Sequence, residues 1–348
     1  MRGQTDIRTI FVISETTPTM SIPENIRHIW RAVASASLPA ILSILSLTSC
    51  GAGTRHSETS DPRRLRMNAL QDTLEKVAAE YPAEIGIALV TGQGDTITVN
   101  NQDKYPLMSV FKLHQAISSA HSLHERGISL DTVVSIDRAS LNPDTWSPML
   151  KDYTASRIEI PVSGLLRYTL TQSDNNASNY LFSAFQSPAA ADSIIASIIP
   201  RDSFRITCTE EDMWSDHSLC YANHSSPLGA AILIDRLYTD SILPSSESRF
   251  LRKTLRECTT GTDRIVAPLA DKEGVTAGHK TGSGFRNERG ILTAHNDVAF
   301  ITLPNGHHYS LAVLVKDFNG AESDAARAIA RISELVYTYL ADSIPSKN

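Results

Sequence analysis

Apolar and polar positions change period several times along the chain, and each change marks an element. From Met67 to Glu80 the apolar residues Leu70, Leu74, Val77 and Ala78 keep to the spacing of one helix face. Glu84 to Val90 then alternates as a strand, Gly92-Gln93-Gly94-Asp95 supplies turn residues, and Thr96 to Val99 runs back, so a helix and a hairpin open the fold. Beyond Tyr105-Pro106 the turns carrying Val110, Phe111, Leu113, Ala116 and Ile117 are apolar on nearly every side, which predicts a buried helix with Pro106 at its start. Helical periods separated by long polar connections dominate as far as about Ala267. Gly274 to Ser283, Gly290 to Leu303 and Tyr309 to Lys316 read as strands, and Ala321 to Leu340 is a helix with Ala325, Ile329, Ile332, Val336 and Leu340 on one stripe. Strands at both ends with helices between them predict an α+β fold. Residues 67–105 and 268–342 would form a mixed antiparallel sheet flanked by helices, and residues 106–267 an inserted all-α part.

The first fifty residues read differently. Arg27, His28 and Arg31 precede an Ala-, Leu-, Ile- and Ser-rich run from Ala32 to Leu47, the pattern of an export leader whose apolar stretch is short for a membrane span. It ends Leu47-Thr48-Ser49-Cys50-Gly51, which resembles the lipobox of bacterial lipoproteins, in which the cysteine is lipidated and becomes the mature N-terminus. Met20 is then the more natural start. The alternative is a signal peptide cut near Ser49, and both readings export the protein. Residues 51–66, of which Gly51 to about Pro62 is Gly, Ser, Thr and charge, read as a flexible tether, leaving 67–342 as the folded domain.

Charge and composition remove several function classes. A chain of 348 residues holds one or two domains, and its formal net charge of −6 with no Lys/Arg-rich run argues against nucleic acid as a partner. Eleven histidines invite a metal reading, but there is no H-E-x-x-H and no C-x-x-C, and only His121/His124 and His307/His308 lie close, so no metal centre is expected.

Candidate chemistry lies in three stretches. In the buried helix, Ser109 and Lys112 share one face, where an amine beside a hydroxyl at a helix start can activate the serine and offer N–H groups to an oxyanion; a surface helix with a snorkelling lysine gives the same pattern. Thr171-Gln172-Ser173-Asp174-Asn175-Asn176 packs hydroxyl, amide and carboxylate groups between apolar neighbours, and such groups must satisfy one another or a ligand. His279-Lys280-Thr281-Gly282-Ser283-Gly284 lies on a strand, where the glycines let a ligand approach the backbone.

In this order and at these separations, S-x-x-K, S-D-N and K-T-G resemble the penicillin-recognising serine enzymes, meaning class A β-lactamases and penicillin-binding proteins. The likeness covers nearly all of Met67 to Leu340. With T-E-E-D-M at Thr209 to Met213 and H-K-T-G-S-G at His279, it is similar to the cephalosporinase branch of class A with an extended omega loop, closest in texture to the cefoxitin-resistance-associated enzymes. It implies that Ser109 is the acylated nucleophile, Lys112 its proton partner and Ser173 the relay to the leaving nitrogen. Asn175 would hold the substrate's side-chain amide. Lys280, Thr281, Gly282 and Ser283 would form the carboxylate-binding strand, with the N–H groups of Ser109 and Ser283 as the oxyanion hole. Asp174 and Asn179 would brace the loop, and Trp146 would stand at the mouth of the site or simply pack.

Glu210 falls in register as the base that activates water for deacylation, with Glu211 the adjacent competitor. Where the commonest pattern has an Asn four residues on, this chain has Trp214, so Asn223 and Asp216 are candidates to position the water. Arg289 aligns with an arginine that many class A enzymes use for the substrate carboxylate, or is a solvent-facing arginine at a strand start. Cys208 and Cys220 bracket Glu210 and could form a disulfide or stay as buried thiols, with Cys258 left over. The resemblance thus implies hydrolysis of cephalosporins and penicillins by a monomer with no cofactor, anchored by lipid to the outer membrane and facing the periplasm. The rivals are a penicillin-binding D,D-peptidase or sensor that acylates without efficient deacylation, and a silent binding module.

Overall fold

The structure, a computed structural model, describes residues 61–102 and 104–342. The leader, Cys50 and most of the expected tether lie outside the described residues. Helix α1 spans Pro62–Ala79, so it begins ahead of the Met67 start expected from the apolar period. Asp61 caps it by accepting from the Arg63 N–H at 3.0 Å, and Pro62 fits the first helical position, where no N–H is required. Arg63 then reaches Asp95 (Nε to Oδ2, 3.0 Å) and Gln93 on the first hairpin. Residues 62–66 therefore belong to the fold rather than to a tether. The sequence hid this because Arg63, Arg64, Leu65 and Arg66 are all exposed and show no apolar face.

Strands β1 (Glu84–Thr91) and β2 (Thr96–Val99) follow, then β3 (Tyr105–Pro106) and helix α2 (Phe111–Glu125). The middle of the chain comprises β4 (Val133–Asp137), α3 (Pro148–Asp152), β5 (Arg157–Pro161), α4 (Val162–Thr171), α5 (Asn175–Ala184), α6 (Pro188–Ala196), β6 (Phe204–Arg205), α7 (Glu210–Ser215), β7 (His224–Ser225), α8 (Pro227–Thr239) and α9 (Ser245–Arg256). Strands β8 (Thr276–Ser283), β9 (Leu292–Thr302) and β10 (His308–Phe318) and helix α10 (Glu322–Asp342) complete it. The main sheet has the order β2-β1-β10-β9-β8, so early and late strands of the described residues build it together, and every pairing in it is antiparallel.

Helices cover both faces of this sheet, which explains why β9 and β10 read as nearly unbroken apolar runs. Alternate residues serve two cores. Leu311, Val313 and Val315 pack with Leu74 of α1 and Ile329 and Ile332 of α10, whereas Ala312 and Leu314 pack with Phe111, Leu165 and Leu233 of the helical part. That helical part is not all-α as expected. It contains the antiparallel pair β4–β5, which encloses α3, and the small sheet β3-β7-β6. Two-residue strands have no period to read, and β4 buries only Ile136.

Helix α2 runs through the middle of the second core, with Leu113, Ala116, Ile117 and Ala120 at 0–1 % exposure. Its polar residues are inside as well. Gln115, Ser118, Ser119, Ser178 and Gln186 hydrogen-bond to one another at 2.7–2.9 Å, which leaves the Gln186 Oε1 without a partner among the described residues.

Candidate active site

Ser109 lies just before α2, in a tight 3₁₀ turn spanning Met108–Val110, and not in the first turn of an α-helix begun by Pro106; Pro106 is part of β3. Met108 holds φ = 44°, a conformation that side chains seldom adopt and that persists when neighbours over-determine it. Two neighbours do so. The buried Asn296 amide on β9 donates to the carbonyls of Pro106 (2.7 Å) and Leu107 (3.1 Å) while accepting from the Val315 N–H (3.0 Å). Gly282 lies so close that a Cβ there would stand 2.4 Å from the Leu107 carbonyl and 3.1 Å from the Ser109 nitrogen. Only glycine lets β8 come this near the nucleophile, which is what an oxyanion hole shared by Ser109 and Ser283 requires.

One turn further on, Lys112 is fully buried, and its Nζ meets Ser109 Oγ (3.0 Å), Glu210 Oε1 (2.8 Å), the Ser173 carbonyl (2.8 Å) and Asn175 Oδ1 (2.7 Å). Burial pulls its ammonium below the ordinary lysine value, and the facing Glu210 carboxylate opposes that pull. Ser109 Oγ also donates to Glu210 Oε1 at 2.9 Å. Ser173 adopts φ = 58°, so its carbonyl faces Lys112 while its hydroxyl accepts from Lys280 Nζ at 3.0 Å. Ser173 thus bridges two lysines. Asp174 caps α5 and braces the segment, accepting from Ser147 Oγ, the Met149 N–H (2.7 Å) and the Ala177 N–H (2.9 Å). Asn179 accepts from the Glu211 N–H at 3.3 Å, a similar bracing role.

Glu210 is the first residue of α7, whose start is fixed by a reciprocal cap between Thr209 and Asp212. It is 7 % exposed, whereas Glu211 faces solvent and accepts from Asn142 Nδ2 at 3.1 Å, so the register favours Glu210. The candidates for positioning water are placed otherwise than expected. The buried Asn223 amide accepts from the Thr207 and Cys208 N–H groups and donates to the Cys208 carbonyl, and Asp216 is exposed and caps the next turn through the Ser218 N–H. Trp214 and His217 instead pack on Phe285, with ring centroids 6.3 and 4.1 Å away, which ties α7 to the end of β8. Cys208 and Cys220 are free thiols, and Cys208 Sγ points to the Leu219 carbonyl at 3.7 Å.

The opposite wall is β8. Burial brings the Lys280 ammonium down to about 7, with Cys258 and Glu210 acting against that shift. Thr281 Oγ1 lies 2.6 Å from Thr260 Oγ1. Arg289 is exposed on the turn after β8 and is not the guanidinium of this wall. That guanidinium belongs to Arg264, 6 % exposed, which donates to Ser283 Oγ (2.6 Å), the Gly282 carbonyl (3.2 Å) and the Asn296 carbonyl (2.7 Å). Sequence reasoning missed it, since Arg264 stands in an irregular connection with no period. The sole hint was a lone arginine ahead of Ile265 and Val266.

These side chains surround a cavity of ≈ 380 Å³ lined by Ser109, Ser173, Asn175, Glu210, Thr281 and Ser283, with Arg264 below and Trp146 at the rim. Trp146 is 55 % exposed and anchored by Nε1 to the Gln172 carbonyl at 2.8 Å, so it both packs and borders the cavity. Asn175 Nδ2 donates to Thr145 Oγ1 at 2.8 Å beside it. A second cavity of ≈ 290 Å³ against α1 and the β9–β10 turn has no comparable nucleophile and base.

A serine hydroxyl set between a buried amine and a carboxylate, opposite two cations and beneath backbone N–H groups, defines a hydrolase that works through a serine ester. Comparison with known proteins narrows the class. Residues 69–340 match the model of the "Beta-lactamase enzyme family". A β-lactamase of Phocaeicola vulgatus is 53 % identical over 78 % of this chain and 85 % of its own, and the extended-spectrum β-lactamase PER-1 of Pseudomonas aeruginosa is 31 % identical over 78 % and 87 %. A solved class A β-lactamase from Bacteroides cellulosilyticus superposes with a TM-score of 0.75 at 28 % identity, covering 80 % of this chain and 99 % of its own. The chain belongs to the β-lactamase enzyme family, as a class A serine β-lactamase.

Proposed function

We propose that Ser109 attacks the β-lactam carbonyl and Glu210 later activates the water that frees the ester. In acylation the Ser109 proton passes into the Lys112–Glu210 pair, and the oxyanion forms between the N–H groups of Ser109 and Ser283. Ser173, bonded to Lys280, relays a proton to the departing ring nitrogen. Lys280, Arg264, Thr281 and Ser283 hold the substrate carboxylate, and Asn175 its side-chain amide. The observation that carries this reading is the 2.9 Å contact between Ser109 Oγ and a buried Glu210, which puts a carboxylate within reach of a water attacking the ester. A time course of mass spectra with a cephalosporin tests it. A transient adduct on Ser109 that decays with product release is expected; a permanent one would leave a penicillin-binding protein. The extended-spectrum name of a relative supports cephalosporins as substrates alongside penicillins.

The same reading extends to a monomer, since one chain supplies every residue of the cavity, and to export to the periplasm with a hold on the outer membrane through Cys50, for which the leader pattern is the support. Cys50→Ala is expected to release the protein into the soluble fraction with unchanged specific activity. A native protein already soluble in the periplasm would remove the anchor.

A further inference from the structure

The Arg264 guanidinium stands in the cavity wall, yet the backbone that carries it has no ladder of its own. Between α9 and β8 the chain is turns and irregular backbone with one short 3₁₀ segment at Ala267–Leu269, so its buried peptide groups need partners outside regular structure. One face of the sheet supplies several. Thr281 stands opposite Asp297 and Ser283 opposite His295 across the β8–β9 ladder, so these side chains share a face, and His279 lies on it two residues before Thr281. From the connection, Thr260 Oγ1 lies 2.6 Å from Thr281 Oγ1, Arg264 donates to Ser283 Oγ at 2.6 Å, and the Ile265 N–H donates to Asp297 Oδ2 at 3.1 Å. Ile265, next to Arg264, is held a second time, because its carbonyl accepts from Ser333 Oγ of α10 at 2.7 Å. The Asp297 carboxylate is fixed in turn by His279, whose Nδ1 is 3.0 Å from its Oδ1. Ile265, Asp297 and Ser333 are all 0 % exposed. On the other side of Arg264, its own N–H closes a turn onto the Gly261 carbonyl at 3.0 Å; Gly261 has φ = 63°, and a Cβ there would stand 2.5 Å from Thr281 Cγ2.

We propose that Asp297 and Ser333 are positioning residues, which hold Ile265 from two elements, thereby fix where the Arg264 guanidinium stands, and so set the affinity for the substrate carboxylate. The reading rests on the carboxylate role proposed above for Arg264. Neither residue lines the cavity, so an effect on substrate binding has to be passed on through groups that do. Arg264 is the group beside the clamp. Its fork bonds Ser283 Oγ and the Gly282 and Asn296 carbonyls together, an arrangement that holds only while the backbone at 264 keeps its place over β8 and β9. With one of the two Ile265 bonds gone, the connection is free to drift from the sheet and the fork loses its register with those three acceptors.

The test is steady-state nitrocefin hydrolysis by Ser333→Ala and Asp297→Asn, each checked for folding by its thermal unfolding, alone and in an Arg264→Ala background. Ser333→Ala should raise KM about 2- to 10-fold, the scale of one neutral hydrogen bond, and Asp297→Asn about 10-fold, with kcat nearly unchanged in both. In the Arg264→Ala background neither substitution should raise KM further, because residues that act through one group do not add. A merely structural role would lower the unfolding temperature and leave both results unmet. A second measurement needs no turnover. Phenylglyoxal labelling of Arg264, followed by peptide mass, should be faster in Ser333→Ala than in wild type, since the guanidinium has left its acceptors. Wild-type KM together with wild-type labelling in folded variants would overturn the proposal, and so would KM losses that add in full to that of Arg264→Ala. Faster labelling with an unchanged KM would strike the carboxylate role of Arg264 and leave the clamp on its position standing.

Discussion

The helical wall and the sheet wall of the cavity carry two lysines with opposite electrostatic surroundings. On the helical wall Lys112 faces Glu210 at 2.8 Å, and Ser109, Ser173 and Asn175 take its remaining hydrogen-bonding capacity, so the wall is charge-balanced before any ligand arrives. On the sheet wall Lys280 donates to Ser173 Oγ and the Thr281 carbonyl, with no carboxylate in its hydrogen-bonding shell among the described residues. Arg264 there has only the largely exposed Asp263, 4.0 Å away, as an ion-pair partner among the described residues. A balanced wall can pass protons without gaining or losing net charge, whereas a wall with surplus positive charge is made to receive an anion. On the proposed mechanism, proton transfer and carboxylate recognition are divided between the helical wall and the sheet wall, and Ser173, which touches both lysines, connects them.

Glu210→Gln breaks this comparison hardest, because it removes the anion that balances the helical wall. Acylation needs Ser109, a proton acceptor and the oxyanion hole, but deacylation needs a base on the water. Turnover is expected to fall by about 10²-fold or more, with a covalent adduct building up on Ser109 at the mass of the bound drug. Glu211→Gln, at an exposed position, should turn over nearly normally. Fast hydrolysis by the Glu210→Gln variant would remove this base from the mechanism.

Arg264→Ala sharpens the comparison from the other side. It takes away surplus charge while leaving the proton network intact, so kcat/KM should fall through KM, with acylated Ser109 still released at a near-normal rate. Charge-assisted hydrogen bonds contribute about 1.5–3 kcal/mol, which sets the loss at roughly 10- to 100-fold. Arg264→Lys should recover only part of it, because an ammonium cannot reach Ser283, Gly282 and Asn296 at once as the fork does. A loss confined to kcat would show that Arg264 acts on the chemistry and not on the carboxylate.

The helical wall was legible in the sequence, and the sheet wall only partly. Ser109 and Lys112 stand among apolar neighbours, where their polarity is conspicuous, and Ser173 in a polar stretch bracketed by apolar runs, whereas Glu210 lies in an acidic run that reads as solvated surface and is singled out only by its register in the resemblance. Lys280 and Ser283 follow from the glycine-bracketed strand. Arg264 does not, because it comes from an irregular connection with no period; the linear count offered Arg289 either for the carboxylate or as a solvent-facing arginine, and it is exposed. Asn223 and Asp216 were plausible by type, but backbone groups nearer in space engage both, a competition that no spacing reveals. The sheet itself was readable because two-sided burial makes β9 and β10 long apolar runs. The two-residue strands and the exposed first turn of α1 were not, since elements that bury little leave no periodic trace.

Ser283→Ala is the finest probe of the sheet wall. The Ser283 hydroxyl accepts from Arg264 at 2.6 Å, so it both fixes the guanidinium and offers its own proton to a carboxylate. In cephalosporins that carboxylate hangs from a six-membered dihydrothiazine ring, and the added hydroxyl contact should matter more there than in penicillins. Arg264 keeps the Gly282 and Asn296 carbonyls in the variant, and the Ser283 N–H survives, so neither the cation nor the oxyanion hole is lost. The effect should therefore lie at the lower end for a charged hydrogen bond, about tenfold on cephalosporin kcat/KM, with a smaller loss on penicillins. Steady-state kinetics on one substrate of each class distinguishes the outcomes. Equal losses would mean that the hydroxyl serves only to hold Arg264, and the surplus charge of this wall would then recognise carboxylates without regard to the ring that carries them.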